Sequence, residues 1–339
     1  MAVLLVVVAH SGLGQIVPGG TGVTIFFVIS GYIITRLILT ELTQTSRFDV
    51  RGFYIRRLFK IAPPFMLVVF IPGLIYSAMG LGSWAHLAAQ LLFVFNWVYL
   101  TGRAQVLPGS GVVWSLSIEE QFYLVASLFW LLVAAGRTSM RHIKYGALAV
   151  FISGLALRIF LLLAGYGHER TYYGSDTRIS AIAAGVFVAC VLHEKRDKPF
   201  MQARLANLVW LLCLSITLIS LLDRNQFFRE SFRYTAQEFV TATSIFLLAT
   251  TANRNKVSKV TARVLGSKVL TNIGLASYST YLVHFILIMN LTGLVPHSWG
   301  LGSRVIFFVS LSLVVGQVIY LVIERPALRW RHKYLRSQS

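Results

Sequence analysis

The sequence predicts an all-α fold, a polytopic integral membrane helix bundle of about ten crossings plus one re-entrant segment. Three observations carry this. First, the 339-residue chain is 56% hydrophobic and only 13% charged, which leaves too little polar surface for a water-soluble domain. Second, apolar runs recur along nearly the whole length, and many approach the roughly 20 residues that a helix needs to cross the hydrocarbon core. Third, Lys and Arg collect in the short connections between those runs, which is how membrane topology is encoded. An outer-membrane barrel would instead need shorter, alternating segments.

The runs lie near 1–9, 22–42, 61–80, 84–101, 113–135, 145–165, 179–193, 205–222, 236–252, 269–294 and 301–323. The opening run places only nine residues before His10, too few to span, so the first helix is expected to be truncated at its N-terminus. The connections 43–60, 136–144, 194–204, 253–268 and 324–339 carry five, three, four, five and five basic residues and are expected to face the cytoplasm. Three runs separate the first two of these connections, and an odd number of crossings cannot return a chain to one side. One of 61–80, 84–101 and 113–135 is therefore expected not to span alone. Pro63-Pro64, Pro72 and Gly73 make 61–80 the first suspect. The expected product is a single transmembrane domain over 1–339, multi-pass in the inner membrane, with both termini cytoplasmic.

The net charge of +19 does not point to nucleic acid, because the basic residues sort by loop rather than forming one patch. Cys190 and Cys213 both fall in apolar runs and indicate neither a disulfide framework nor a metal site.

A charged group at membrane depth costs about 2.5–3.5 kcal/mol on insertion scales, so each one needs a reason. The candidates are His10, Arg36, Glu119, Glu120, Arg158, Arg178, His284 and Glu324. In WSLSIEEQFYL (114–124), Ser117 and Glu120 have the spacing of a capping box, a purely structural reading of Glu120. Glu119 is left over. On a helix it shares a face with Ser115 and Phe122, and Tyr123 lies one turn on, a polar stripe suited to a bundle interior.

His10 follows eight apolar residues. Alone, such a histidine is more often a packing residue, but its chemistry suits a general base, and Glu119 is the best available carboxylate to orient it. In GFYIRRLFKIAPPF (52–65), Arg56, Arg57 and Lys60 fall on about one helical turn. They read either as a positive-inside anchor or as a phosphate site, since guanidinium forks match phosphate oxygens. Arg178 reads as an ion pair with Asp176, and His284 and Glu324 read as structural.

Seven blocks in order resemble the membrane acyltransferase-3 family: AVLLVVVAHSG, GVTIFFVISGYIIT, FYIRRLFKIAPPF, WSLSIEEQFYL, SDTRISAIAAGVFVA, ASYSTYLVHF and YLVIERP. The resemblance covers essentially the whole chain. It implies acyl transfer from a cytoplasmic acyl-CoA, acetyl-CoA first, to a hydroxyl of a cell-surface glycan or a small hydroxylated acceptor. It puts the essential histidine on His10, the motif acid on Glu119 and the arginine block on Arg56 and Arg57, with Lys60 beside them. Ser30 and Tyr32, in a turn around Gly31, are expected to line the site. So are Trp114, Ser115, Glu120, Gln121 and Tyr123, and further on Arg178. The family's usual upstream arginine is missing, in keeping with a truncated first helix, and no C-terminal hydrolase-like domain is expected. No bound cofactor, metal or nucleic acid is expected; the partners are acyl-CoA, the acceptor and the lipid bilayer. The alternative is a transporter without covalent chemistry, since broken helices and buried charges fit that class too.

Overall fold

A computed structural model describes residues 1–195, 202–296 and 298–336. Arg196 and Lys198, counted above in the 194–204 connection, lie outside the described residues. Among the described residues all regular structure is helical. The first half of the chain forms α1 (Ala2–Val8), α2 (Gly19–Thr45), α3 (Val50–Phe65), α4 (Ile71–Ala78), α5 (Trp84–Leu91), α6 (Phe95–Tyr99), α7 (Val113–Ala134) and α8 (Met140–Leu163). There follow α9 (His168–Tyr173), α10 (Ser175–Glu194), α11 (Ala203–Leu222), α12 (Gln226–Glu230) and α13 (Phe232–Thr251). The last are α14 (Lys256–Leu265), α15 (Lys268–Leu275), α16 (Ser277–Leu291), α17 (Leu301–Ile319) and α18 (Arg325–Arg336).

Among the described residues, seven helical stretches are long and apolar enough to cross a bilayer: Gly19–Thr45, Val50–Ala78, Ser110–Ala134, Met140–Leu163, His168–Glu194, Ala203–Leu222 and Leu301–Leu335. The pair Lys268–Leu275 and Ser277–Leu294, bent by 71°, makes an eighth if it is one span. The expected count of about ten is thus approximate; reaching it requires the short Ala2–Leu13 helix and the 20-residue α13 as well. The protein is a multi-pass helical membrane protein. Helix α7 shows why its exposed apolar surface suits lipid: Leu124, Val125, Leu128 and Phe129 are exposed, while Ser115, Glu119, Phe122 and Tyr123 are buried.

The run that fails to span is not the one suspected. Residues 61–80 do not break: Val50–Ala78 runs as one candidate span straight through Pro63 and Pro64. A π-helical turn over Met66–Phe70 follows the prolines and resets the hydrogen-bond register after the two missing N–H donors. The run 84–101 is the one that fragments, into α5 and α6. Phe93 adopts a positive φ of 54° between them. Gln90 and Asn96 are buried there, and Gln90 donates to the Ser110 carbonyl and hydroxyl.

Two other expectations change. Ser30, Gly31 and Tyr32 lie inside α2, not in a turn. Ser117 does not cap α7: a left-handed Gly109 (φ 84°) and a 3-10 turn over Ser110–Val112 start the helix earlier, and Ser117 donates to the Val113 carbonyl from within it. Glu120 therefore has no capping role.

The chain divides into two compact units. The first is Met1–Gly22, Asp49–Ser117 and Lys268–Ser339; the second is Val23–Phe48 and Ile118–Ser267. In the first, α1, α16 and α17 pack together. A cluster of Ile288, Val295 and Phe308, flanked by Phe285, Leu291 and Phe307, fills one part of it. In the second, α10 packs on α8 and α13. It is buried along most of its length, including Thr177, Arg178 and Ser180. Gly31 of α2 rests on the Ile182 carbonyl of α10, and Gly185 of α10 rests on the Val28 carbonyl of α2, so these two backbones touch where a Cβ has no room.

Candidate active site

In the first unit, His10 sits in a π-helical turn, Ala9–Leu13, that ends α1; Gly12 within it has φ 122°. Such turns widen a helix and recur at functional sites. His10 Nδ1 lies 2.8 Å from His284 Nε2. The ring centroids are 5.1 Å apart with planes only 6° from parallel. Rings joined edge to edge by that bond have this separation, so the contact is an in-plane hydrogen bond rather than a face-to-face stack. Phe285 covers His10, with centroids 4.4 Å apart.

The next contact sets the direction of every proton. His284 Nδ1 lies 2.6 Å from the Tyr281 carbonyl oxygen. A carbonyl only accepts, so His284 carries its hydrogen on Nδ1, and the neutral ring offers Nε2 as an acceptor. His10 must then donate from Nδ1. Its Nε2 is left as a bare lone pair on an exposed side chain, whereas His284 is fully buried. This is the logic of a base held in one tautomer by an orienting partner, with a second imidazole as that partner. Separately, the Tyr281 hydroxyl bonds the Ser115 hydroxyl at 2.7 Å and donates to the Val112 carbonyl at 3.1 Å. Ser115, expected to line the site, thus shares Tyr281 as a neighbour with His284, and Trp114 beside it is buried.

Lys60 is drawn elsewhere than its sequence neighbours imply. It forms an ion pair with Glu324, and the Ser279 hydroxyl donates to the same carboxylate at 2.6 Å. Glu324 is fully buried, which explains why Lys60 turns inward rather than joining a phosphate cluster. A π turn over Tyr320–Glu324 carries the chain on from α17 into α18, and Pro326 lies just past that turn. Arg56 and Arg57 stay on α3, and Arg331 of α18 lies close enough to feel both charges. Arg57 also stacks over Phe53 at 5.7 Å.

In the second unit, Glu119 is buried and Gln121 accepts a 2.5 Å bond from Ser175. The Ser30 and Tyr123 hydroxyls bond at 2.8 Å. Glu119 belongs to this unit and His10 to the other; the residue joined to His10 within its own unit is His284. Arg178 does not pair with Asp176. Asp176 takes a two-pronged bond from Arg170, at 2.8 and 2.5 Å. Arg178 is fully buried, donates to Thr24 at 2.9 Å, and lies against the faces of Tyr234, Tyr172 and Phe27 at 4.6, 5.2 and 5.6 Å. Arg158 is paired with Glu238 at 3.6 Å, and Ser180 links to both. Among the described residues no group of three or more His, Cys, Asp or Glu gathers as a metal site would.

Sequence reasoning read His284 as structural and did not foresee its hydrogen bond to His10. Its only signal was its place in ASYSTYLVHF; its partner stands 274 positions away.

Comparison with known proteins fits this picture. A Staphylococcus aureus (strain MRSA252) protein provisionally named an O-acetyltransferase is 27% identical over 99% of this chain and 58% of its own length. The peptidoglycan O-acetyltransferase OatA of Listeria monocytogenes is 25% identical, over 96% of this chain and 54% of its own. The O-acetyltransferase OatA of Staphylococcus aureus (strain NCTC 8325) is 26% identical, over 96% and 55%. The chain therefore spans little more than half the length of the curated relatives it matches. No solved structure gives a significant match. A family model described as an acyltransferase domain matches residues 1–321. On that match, which takes in the histidine chain and six of the seven blocks singled out in the sequence and reaches the start of YLVIERP, this protein belongs to the acyltransferase-3 family.

Proposed function

We propose that the protein moves an acyl group, acetyl first, from acyl-CoA to a sugar hydroxyl of a cell-surface polymer. The observation that supports this best is the hydrogen-bonded run Tyr281 carbonyl–His284–His10, which leaves His10 Nε2 free to accept a proton. In the proposed step, Nε2 takes the hydroxyl proton as the oxygen attacks the thioester carbonyl carbon. The carbon–sulfur bond breaks, and the imidazolium returns the proton to the leaving thiolate. The products are an ester and free CoA. When His10 becomes charged, its Nδ1–H still points at His284 Nε2, so the pair needs no rearrangement to stabilise the cation.

Glu119 is carried as a carboxylate needed for transfer, by its place in the family motif and its burial. Arg56 and Arg57, with Arg331 nearby, are proposed to attract the donor's phosphates by charge. The basic connections put this end of the chain, and both termini, on the cytoplasmic side of the inner membrane in our reading. The Listeria relative's name makes peptidoglycan the first acceptor to test. The test is mass spectrometry of surface glycans from cells with the gene, without it, and with His10→Ala. The proposal expects ester-linked acetate only with the intact gene. Unchanged O-acetylation in the deletion, or solute movement without thioester consumption, contradicts it.

A further inference from the structure

The second unit holds a cavity that the proposed chemistry does not use. It measures about 620 Å³ and is lined by the C-terminal parts of α2, α10 and α13. Tyr32, Arg36 and Thr40 come from α2, His193 and Lys195 from the end of α10, and Asn253 and Arg254 from just past α13. Among the described residues no Asp or Glu lines it. The acids nearest in sequence are Glu41, which follows Thr40 on α2, and Glu194, which is held by Lys144 at 2.7 and 2.8 Å; neither lines the cavity. Arg36 and Arg254 are exposed at the mouth, and neither has a carboxylate partner among the described residues; Arg36 reaches only the Tyr32 hydroxyl, at 3.5 Å. Leu39 and Ala189 are buried and form the floor.

A concave site with several cations and no acid repels cations and favours a multiply charged anion. Paired guanidinium groups match phosphate oxygens in particular. The volume is that of a small-molecule site, about 300–1,000 Å³. The Tyr32 and His193 rings, with the Thr40 and Asn253 side chains, add stacking and hydrogen bonds suited to a nucleoside. A lipid headgroup is the other source of phosphate; the exposed lining residues Arg36, Lys195, Asn253 and Arg254 outnumber the exposed apolar Ala249 among them, which favours the more highly charged nucleotide. All three helix ends adjoin basic connections, 43–60, 194–204 and 253–268, that the charge pattern assigns to the cytoplasm.

We propose that this pocket binds the phosphate-bearing nucleotide end of the thioester donor, with Arg36 and Arg254 as its phosphate ligands. The assignment rests on the acyl-CoA reading above. It adds a recognition site distinct from the charge attraction given to Arg56 and Arg57.

The test is CoA binding to the full-length protein in nanodiscs, with 3′-dephospho-CoA as a second probe and phosphatidylglycerol-containing nanodiscs as a third arm. The expected result is that Arg36→Gln with Arg254→Gln weakens CoA binding at least tenfold, and each single change at least threefold. Arg36→Lys with Arg254→Lys should recover part of the loss, which separates a charge effect from misfolding. His10→Ala should bind CoA as the unchanged protein does. If His10→Ala also leaves transfer intact while the arginine variants lose CoA, the pocket stands and the base assignment falls. Undiminished CoA binding in the glutamine double variant overturns the pocket. So does a loss confined to phosphatidylglycerol, which makes it a lipid headgroup site.

Discussion

The Nδ1 atom of His10 lies 2.8 Å from Nε2 of His284, and the two rings lie nearly in one plane. Because the Tyr281 carbonyl fixes the hydrogen of His284, this contact also fixes the tautomer of His10. In the proposed mechanism His284 is a positioning residue rather than a filler. His284→Leu is expected to lower kcat for acyl transfer by about 10²-fold or more, the scale on which loss of an orienting partner acts. KM should change little. His284→Gln, which keeps an acceptor for His10, should retain more activity than His284→Leu. Equal loss in the two variants, or a loss explained by missing protein in the membrane, reduces His284 to a packing role.

The ion pair of Lys60 with Glu324 is expected to act on stability. Glu324 is enclosed, whereas the Lys60 side chain is 34% exposed. Replacing the acid strands a cation; for a fully buried pair that costs about 3–5 kcal/mol, and less here because Lys60 can reach water. Glu324→Leu should lower the unfolding temperature in detergent. Lys60→Met added to it should restore most of the loss, because the apolar pair strands no charge. A double variant no more stable than Glu324→Leu alone contradicts the assignment.

Close approach of α2 and α10 predicts a sharp contrast among glycines. Gly31→Val places its side chain on the Ile182 carbonyl and should cost at least about 1–3 kcal/mol by overpacking. Gly274→Ala meets nothing within 4 Å and should be neutral or slightly stabilising. Thermal unfolding of the two purified variants checks this, and equal unfolding temperatures count against the contact.

Much of the fold was legible because the bilayer imposes it: apolar runs that cross it must be helices. The parity of the loops revealed that one run between 43–60 and 136–144 does not cross alone. It did not reveal which one. Pro63-Pro64 looked like the break, yet a π turn absorbs it. The true break shows in sequence only as Gln90 and Asn96, two polar residues whose burial and hydrogen bonds depend on tertiary packing. The stripe of Ser115, Glu119, Phe122 and Tyr123 was readable from helical spacing and is buried as its pattern implies. Side-chain pairing was not readable. Arg178 stands beside Asp176 in sequence but lies among aromatic rings, and Lys60 stands beside Arg57 but turns to Glu324. Contacts between residues hundreds of positions apart leave no mark on local spacing.

Glu119 provides a separate check on the motif acid. Glu119→Gln keeps size and burial while removing charge. It is expected to lower transfer at least about tenfold, with protein still present in the membrane. Full activity in this variant removes Glu119 from the proposed machinery without touching the histidine pair.

The central claim is that His10 is the base, and the most direct measurement is thioester consumption. Membranes holding the full-length protein are given acetyl-CoA and the acceptor glycan, and released CoA thiol is followed over time. The account predicts acceptor-dependent release that falls about 10²–10⁴-fold in His10→Ala. Release at the unchanged rate in His10→Ala would contradict it.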